Sequence, residues 1–300
     1  MINRFSSLSR ALLAPATAAV MAICVFSSVA VRADQLEKVL ERGSIEAAAY
    51  REFPPFSFRK DGKRAGIDVD IAELVAKKIG VNLSVRMIGV DENMEDDLRN
   101  NIWKGHYIGG GVADFMMHVP YDLEFAKEND LVSFIAPYYR ETLALAVNPD
   151  TASSLRSVED IDQHLIGVEV DTLADFYLLS PRHGNKQANV VHFVNISEAA
   201  VAFANGDIDA IFGPSVEVQG ILGETQATFD LRSMPVSGLR SNGWDVGVAL
   251  RFNHKELIQA VTNAMAELRD EGAIEAIFER YGVDYTDPLP TSIATGYKLQ

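Results

Sequence analysis

The sequence predicts an α/β fold of two lobes built alike, each a central, mostly parallel sheet flanked by helices. Three observations carry this expectation. Ile45–Tyr50 is a compact apolar run, as a buried parallel strand requires, and a Pro-Pro turn and an amphipathic helical pattern follow it. Further short apolar runs alternate with helical patterns along the chain. Two stretches also echo each other: Gly111-Val112-Ala113-Asp114-Phe115-Met116-Met117-His118-Val119-Pro120 and Gly206-Asp207-Ile208-Asp209-Ala210-Ile211-Phe212-Gly213-Pro214. Each is a helix exit, an Asp, an apolar strand, and a Gly or His shortly before a Pro.

In chain order, Pro54-Pro55 stops the first strand and leaves Phe53 and Phe56 on either side of the bend. Asp70 reads as an N-cap with Glu73 three residues on, a capping box. Ile71, Leu74, Val75 and Ile79 follow at helical spacing, and Gly80 closes the helix. Val81–Ile88 alternates as a strand, and Asp91–Trp103 reads as a helix with acidic first turns. Lys104–Gly111, with its triple Gly, is a flexible or tightly turned loop leading to a strand at Val112–His118. Placed between a helix and the next strand, this loop belongs at the amino end of the sheet, away from any ligand crevice. Ala136–Asn148 is a long extended run. The second lobe opens at Ser157–Asp160 and continues with strands at Leu165–Val170 and Val190–Phe193 and helices from about Thr172 and over Ile196–Ala204. The Asn205–Pro214 strand follows, Gly243–Leu250 returns to the first lobe, and His254–Tyr281 supplies one or two helices striped by Leu257, Val261, Met265 and Leu268. Pro288–Gln300 reads as a surface tail.

Residues 1–33 read as a secretory leader: Arg4 and Arg10, an apolar Ala11–Val31, and a small-residue cut site after Ala33. A retained membrane anchor is the alternative, since the apolar stretch could nearly span a bilayer. The single cysteine, Cys24, lies in that leader, so the remaining chain has no thiol for a disulfide, a metal or nucleophilic catalysis. The 300 residues carry a formal charge of −15, and removing Arg4, Arg10 and Arg32 makes the remainder more negative. Nucleic acid and anionic membrane surfaces are therefore excluded as partners. At 48% hydrophobic residues the chain can bury a large core.

The Phe53-Pro54-Pro55-Phe56 turn and the Gly66-Ile67-Asp68-Val69-Asp70 segment resemble the opening of the bacterial extracellular solute-binding proteins of the polar amino-acid type, family 3. The paired Asp-led strands and Pro137-Tyr138-Tyr139 also match in order and spacing, so the resemblance spans roughly Gly43–Val283. It implies a type II periplasmic-binding-protein fold hinged on two crossing strands, near Ala136–Asn148 and Ser241–Gly247. The first lobe would be 34–140 plus 245–300, and the second 141–244. It further implies a periplasmic, monomeric protein that closes on a small-molecule ligand and serves an ABC-type importer through a membrane permease. It implies no cofactor and no catalytic residue.

The chain departs from that family at the ligand clamp. Relatives that bind α-amino acids use an Arg after the Asp-led strand of the first lobe and an Asp just after that of the second. Here Tyr121–Lys127 holds no Arg, and Gly213-Pro214-Ser215 holds no carboxylate. Asp171-Thr172 replaces the usual Gly-Thr, placing an acid where an anion would meet a helix N-terminus. The expected ligand is therefore something other than a standard α-amino acid. Gly213-Pro214 and Val119-Pro120 also resemble a subgroup that accompanies periplasmic quinoprotein dehydrogenases, which makes an accessory role with such a partner the competing reading. Lys104–Gly111 is an insertion relative to the family.

The expected ligand contacts are Phe53 and Phe56 by stacking, His118 and Tyr121 from the first lobe, and Thr172 and Ser215 from the second. Asp171 and Gly213 adjoin them. The alternative for Phe53 and Phe56 is a place in the core. Arg140 is either an anion ligand or a solvated or hinge salt-bridging residue. His118 is either a ligand contact or a neutral hydrogen-bonded histidine, and with His106 or Asp122 it forms no compact metal motif. Asp68, Asp70, Asp114 and Asp209 need no role beyond capping and turns. Glu169, Asp171 and Glu217 are generic acid–base candidates without a nucleophile or oxyanion site beside them.

Overall fold

The computed structural model describes residues 34–157, 160, 164–180, 189–225, 227–234 and 243–290. The expected leader, the first two residues of the second crossing (241–242) and the last ten residues of the tail lie outside these.

The first sheet is ordered β4-β1-β5-β12-β6, formed by Asn82–Ile88, Ser44–Tyr50, Phe115–Pro120, Trp244–Arg251 and Val132–Glu141 respectively. β1 runs parallel to both β4 and β5, whereas β12 is antiparallel to β5 and β6. β1 is buried over most of its length, as a strand with helices on both faces must be. On one face lie α1 (Gln35–Arg42), α2 (Ile67–Ile79), α8 (Lys255–Asp270) and α9 (Ala273–Arg280). Their apolar stripes, including Leu257, Val261, Met265 and Leu268, share one core with Ile45, Phe115 and Tyr139.

α2 begins four residues earlier than its acidic pattern suggests. Gly66, at φ 127°, is the N-cap, and a Cβ there would clash with the Phe56 carbonyl. Ile67 N–H donates to Pro55 O (3.0 Å) and Asp68 N–H to Phe56 O (2.9 Å), so the aromatic turn itself caps the helix. Asp70 is displaced into the first turn, where it accepts from Tyr281 Oη (2.7 Å) and Arg280 (2.8 Å).

The other face of this sheet carries α3 (Met94–Leu98) and a π-helical turn at Arg99–Trp103. Asn93, not Asp91, is the N-cap, accepting from Asp96 N–H (2.9 Å). Asp91 is used elsewhere, as acceptor for the Asn100 side chain (2.8 Å). The loop at 104–111 lies at the amino end of β5, with Gly105, Gly109, Gly110 and Gly111 all at positive φ: it is tightly turned. Trp103 packs inward, while Tyr107 is 92% and Ile108 78% exposed.

At Thr142 the chain crosses to the second sheet, ordered β11-β7-β10-β8-β9: Asp230–Ser233, Leu143–Val147, Ala210–Pro214, Ile166–Glu169 and Val190–Phe193. β8, β9 and β10 are parallel, and β7 pairs antiparallel with β10 and β11. α6 (Ile196–Asn205) and α7 (Ser215–Thr225) cover one face and α5 (Leu173–Leu178) the other.

The internal echo has a physical counterpart. Asp114 N–H donates to Glu46 O (2.9 Å) while its carboxylate accepts from Glu46 N–H (2.7 Å). Asp209 does the same with Leu165, at 2.9 Å in both directions. In each sheet an Asp just before the central strand pins the start of the neighbouring parallel strand.

Candidate functional site

The carboxyl ends of the parallel strands in both sheets point toward one cleft, where ligands bind in open α/β sheets. A cavity of about 410 Å³ occupies it. From the first sheet it is walled by Tyr50 at the end of β1, by Phe53 and Pro54 of the turn, and by His118 and Pro120 of β5. Trp244 and Val246 of β12 complete that side, with Val90 and Met94 at its edge. From the second sheet come Glu169 at the end of β8, Asn195, Ile196 and Ser197 at the start of α6, and Glu217 in the first turn of α7. Arg51 and Glu52 stand exposed at the rim.

His118 is held from three sides. Its backbone sits at φ 59°, an uncommon conformation for a residue with a Cβ. Its ring meets Phe53 edge-on at 4.8 Å and Phe56 at 4.3 Å. Nδ1 stands 3.2 Å from Asp68 Oδ2, and Asp68 Oδ1 accepts from Tyr138 Oη at 2.6 Å. Asp68 is fully buried, so its role exceeds the capping expected of it. Burial, reinforced by the Asp68 carboxylate, pushes the Tyr138 hydroxyl well above its ordinary pKa.

The second-lobe side is acidic. Burial raises the Glu169 pKa, opposed by the Ile196 N–H that Oε2 accepts at 3.0 Å. Burial raises Glu217 well above its usual range, and the neighbouring Glu141 and Glu169 push it further. Glu217 is half-buried and lines the cavity; among the described residues no hydrogen bond or ion pair reaches its carboxyl. Glu141, 2% exposed at the end of β6, accepts from Tyr139 Oη (2.8 Å), Thr142 N–H (2.8 Å) and Ser215 N–H (3.0 Å) through Oε1. Its Oε2 has no partner among the described residues, and burial lifts its pKa to about 7.

Of the residues expected at the ligand, Phe53 and His118 line the cavity. Phe56 is 0% exposed, a core aromatic against His118, Tyr139 and Phe278, so it supports the wall instead of forming it. Tyr121 turns back onto its own sheet, its N–H donating to Asp245 O (2.7 Å). Arg140, 7% exposed, pairs with Asp245 Oδ1 (2.7 Å) and donates to Gly243 O (3.2 Å), the hinge-bridging alternative rather than an anion ligand. Asp171, at φ 60°, is exposed on the turn before α5. Thr172 is the N-cap of α5, and its hydroxyl donates to Glu169 O (2.7 Å). Gly213 is buried in β10, and Ser215 serves Glu141 through its backbone. Thr172 and Ser215 thus position cleft carboxyls without lining the cavity.

Sequence reasoning missed Tyr50, Trp244 and Asn195, and did not place Glu169 and Glu217 at the ligand. For Glu217 a signal exists: an acid sought immediately after the β10 strand enters from the first turn of the next helix instead.

Residues 45–103 match the bacterial extracellular solute-binding proteins, family 3. The L-cystine-binding protein TcyJ of Escherichia coli (strain K12) is 26% identical over 280 residues, covering 89% of this chain and 95% of that protein. A shorter stretch of 68 residues is 34% identical to the cyclohexadienyl dehydratase of Pseudomonas aeruginosa, covering 22% of this chain and 25% of the enzyme. Among solved structures, an ancestral cationic amino acid solute-binding protein superposes with a TM-score of 0.67 at 22% identity, over 82% of this chain and 98% of that one. That last likeness speaks for the fold. The family match thus covers the aromatic Pro-Pro turn, α2 and β4, and the similarity to the cystine-binding protein extends over most of the chain.

Proposed function

We propose that this chain is a periplasmic solute-binding protein that captures a small molecule between its lobes for an ABC-type importer, and that the molecule is not a standard α-amino acid. The observation that carries the reading is the cavity itself: about 410 Å³, walled by Phe53 and His118 from one sheet and by Glu169 and Glu217 from the other. A ligand touching both walls is more favourable in the closed state than the open one, which is what drives hinge closure. The related cystine-binding protein supports a transport role, while the short dehydratase match is the single hint of chemistry.

The ligand class follows from where the cations are. In the segment that would supply a clamp arginine, Asp122 caps α4 (Leu123–Glu128), and Lys127 pairs with Glu124 at 2.9 Å. Arg140 is committed to Asp245. Arg51 lines the rim but is exposed, where an ion pair is worth little. Among the described residues, an α-carboxylate entering the cleft would therefore find no buried bidentate partner.

The test is mass spectrometry of small molecules released from freshly purified protein by gentle denaturation, for the wild type and Phe53→Ala. A molecule carried by the wild type and lost from the variant supports the reading. Equal loading of both moves the site out of the cleft, and a common α-amino acid in that fraction overturns the ligand class. An accessory role beside a dehydrogenase is favoured by exposed Tyr107 and Ile108, an apolar pair remote from the cleft. Co-purification of a dehydrogenase in place of a permease would select it.

A further inference from the structure

The cleft has a definite charge character. Its interior carries the carboxyls of Glu169 and Glu217, and among the described residues the basic groups that line it are His118, which faces Asp68, and rim-exposed Arg51. Glu169 uses Oε2 for the Ile196 N–H and leaves Oε1 for the cavity. Glu217, half-buried in the cavity wall, has no hydrogen-bond partner among the described residues. Two carboxyls brought together out of water repel each other when ionised, and such a pair is retained at a cost unless something of opposite charge joins them. Across the cavity stand the aromatic rings of Phe53 and Trp244. Aromatic faces opposite acids form a recurring environment for organic cations, because the ring quadrupole attracts positive charge.

Resting on the solute-binding reading above, we propose that the ligand is a small organic ammonium or guanidinium cation without a carboxylate, its charge held by Glu169 and Glu217 and its body against Phe53 and Trp244. An arginine or lysine would bring a carboxylate into the same acidic interior; the decarboxylated amine would not. A metal ion fits poorly, since no group of three or more His, Cys, Asp or Glu side chains converges among the described residues. Without ligand the two carboxyls retain protons more readily than free ones, so an incoming cation should release protons as it binds.

Titration calorimetry on the whole protein tests this with matched probes: agmatine against arginine, cadaverine against lysine, and phenethylamine and choline for aromatic and quaternary cations. At least one amine should bind, with a heat that depends on the buffer's ionisation enthalpy as protons leave. The matching amino acid should bind at least about tenfold more weakly, the order of effect of an unpaired charge in a buried site. Glu217→Gln, which keeps the side-chain shape, should weaken that amine about tenfold or more while circular dichroism stays unchanged. Arginine or lysine binding as tightly as its amine would overturn the proposal. So would a panel in which no cation binds while a neutral or anionic molecule co-purifies with the protein; that result leaves the solute-binding reading standing. A protein that carries and binds no small molecule at all would overturn both.

Discussion

Gly220 of α7 faces Pro55 of the aromatic turn across the lobe junction: a Cβ built on Gly220 would stand 2.9 Å from Pro55 Cγ. Beside it, Gln219 and Asp284 exchange two hydrogen bonds, at 2.7 and 3.1 Å, and Val216 is buried in the core of the first lobe. α7 is built on the second sheet yet docks on the first, so this contact reports how closely the lobes approach.

Gly220→Ala separates closure from stability. Within a helix Ala is favoured over Gly by about 1 kcal/mol. The ring of Pro55 is rigid, so the added methyl should hold the lobes apart. The expected result is a melting temperature equal to or above wild type, with weaker ligand binding in calorimetry. Unchanged affinity would show that the closed state does not need this contact.

Glu141 makes stability depend on pH. Its carboxyl titrates near 7 in the folded protein, above the ordinary 4.5, because burial disfavours its charge. The folded state thus holds this proton more tightly than the unfolded chain. The contribution is fully present below the unfolded value and is withdrawn as pH climbs through about 7. At about 1.4 kcal/mol per pH unit this amounts to at most roughly 3 kcal/mol. Glu169 and Glu217, raised by the same cause, act in the same direction. Urea midpoints of ligand-free protein should therefore fall between about pH 5 and pH 8. Glu141→Gln keeps the Oε1 acceptor and should flatten part of that fall; an unchanged profile would remove Glu141 from the account.

The fold was legible in the sequence where one physical signal sufficed. Ile45–Tyr50, the α8 stripe and the Asp114 and Asp209 pair each follow from burial, periodicity or a local hydrogen-bond need. The start of α2 was misread because Asp70 and Glu73 satisfy a capping pattern locally, whereas carbonyls from the distant Pro55 and Phe56 cap the helix. At the site, Phe53 and His118 were legible as unusual residues at strand ends. Phe56, Tyr121 and Arg140 share that position in sequence, but their directions depend on neighbours brought in by tertiary packing. Glu217 was passed over because it enters from the first turn of α7, two residues beyond the Gly213–Ser215 stretch where an acid was sought.

The Asp68–Tyr138 bond should be separable from the fold around it. Asp68→Ala leaves the buried Tyr138 hydroxyl without its 2.6 Å acceptor and frees His118 from its carboxylate neighbour. A loss of about 1–3 kcal/mol is expected from the unsatisfied group. Adding Tyr138→Phe should recover part of it, since the orphaned hydroxyl is then gone. A double variant that is simply the sum of the singles would mean the bond carries no coupling.

Replacing Tyr107 and Ile108 by Gly and Ser should leave stability within about 0.5 kcal/mol, as both side chains are exposed at the amino end of β5. Ligand affinity should stay within a few-fold. A collapse of binding in a folded variant would bring this loop into the cleft.

Lobe closure on a ligand is the claim on which the rest depends, and small-angle scattering reads it directly. Protein stripped of its co-purified small molecules by unfolding and dialysis would be refolded, measured, and measured again after those molecules are returned. A smaller radius of gyration on their return, absent in Phe53→Ala, is the predicted result. Calorimetric binding with an unchanged radius of gyration at saturation would contradict closure around a ligand held between the two sheets.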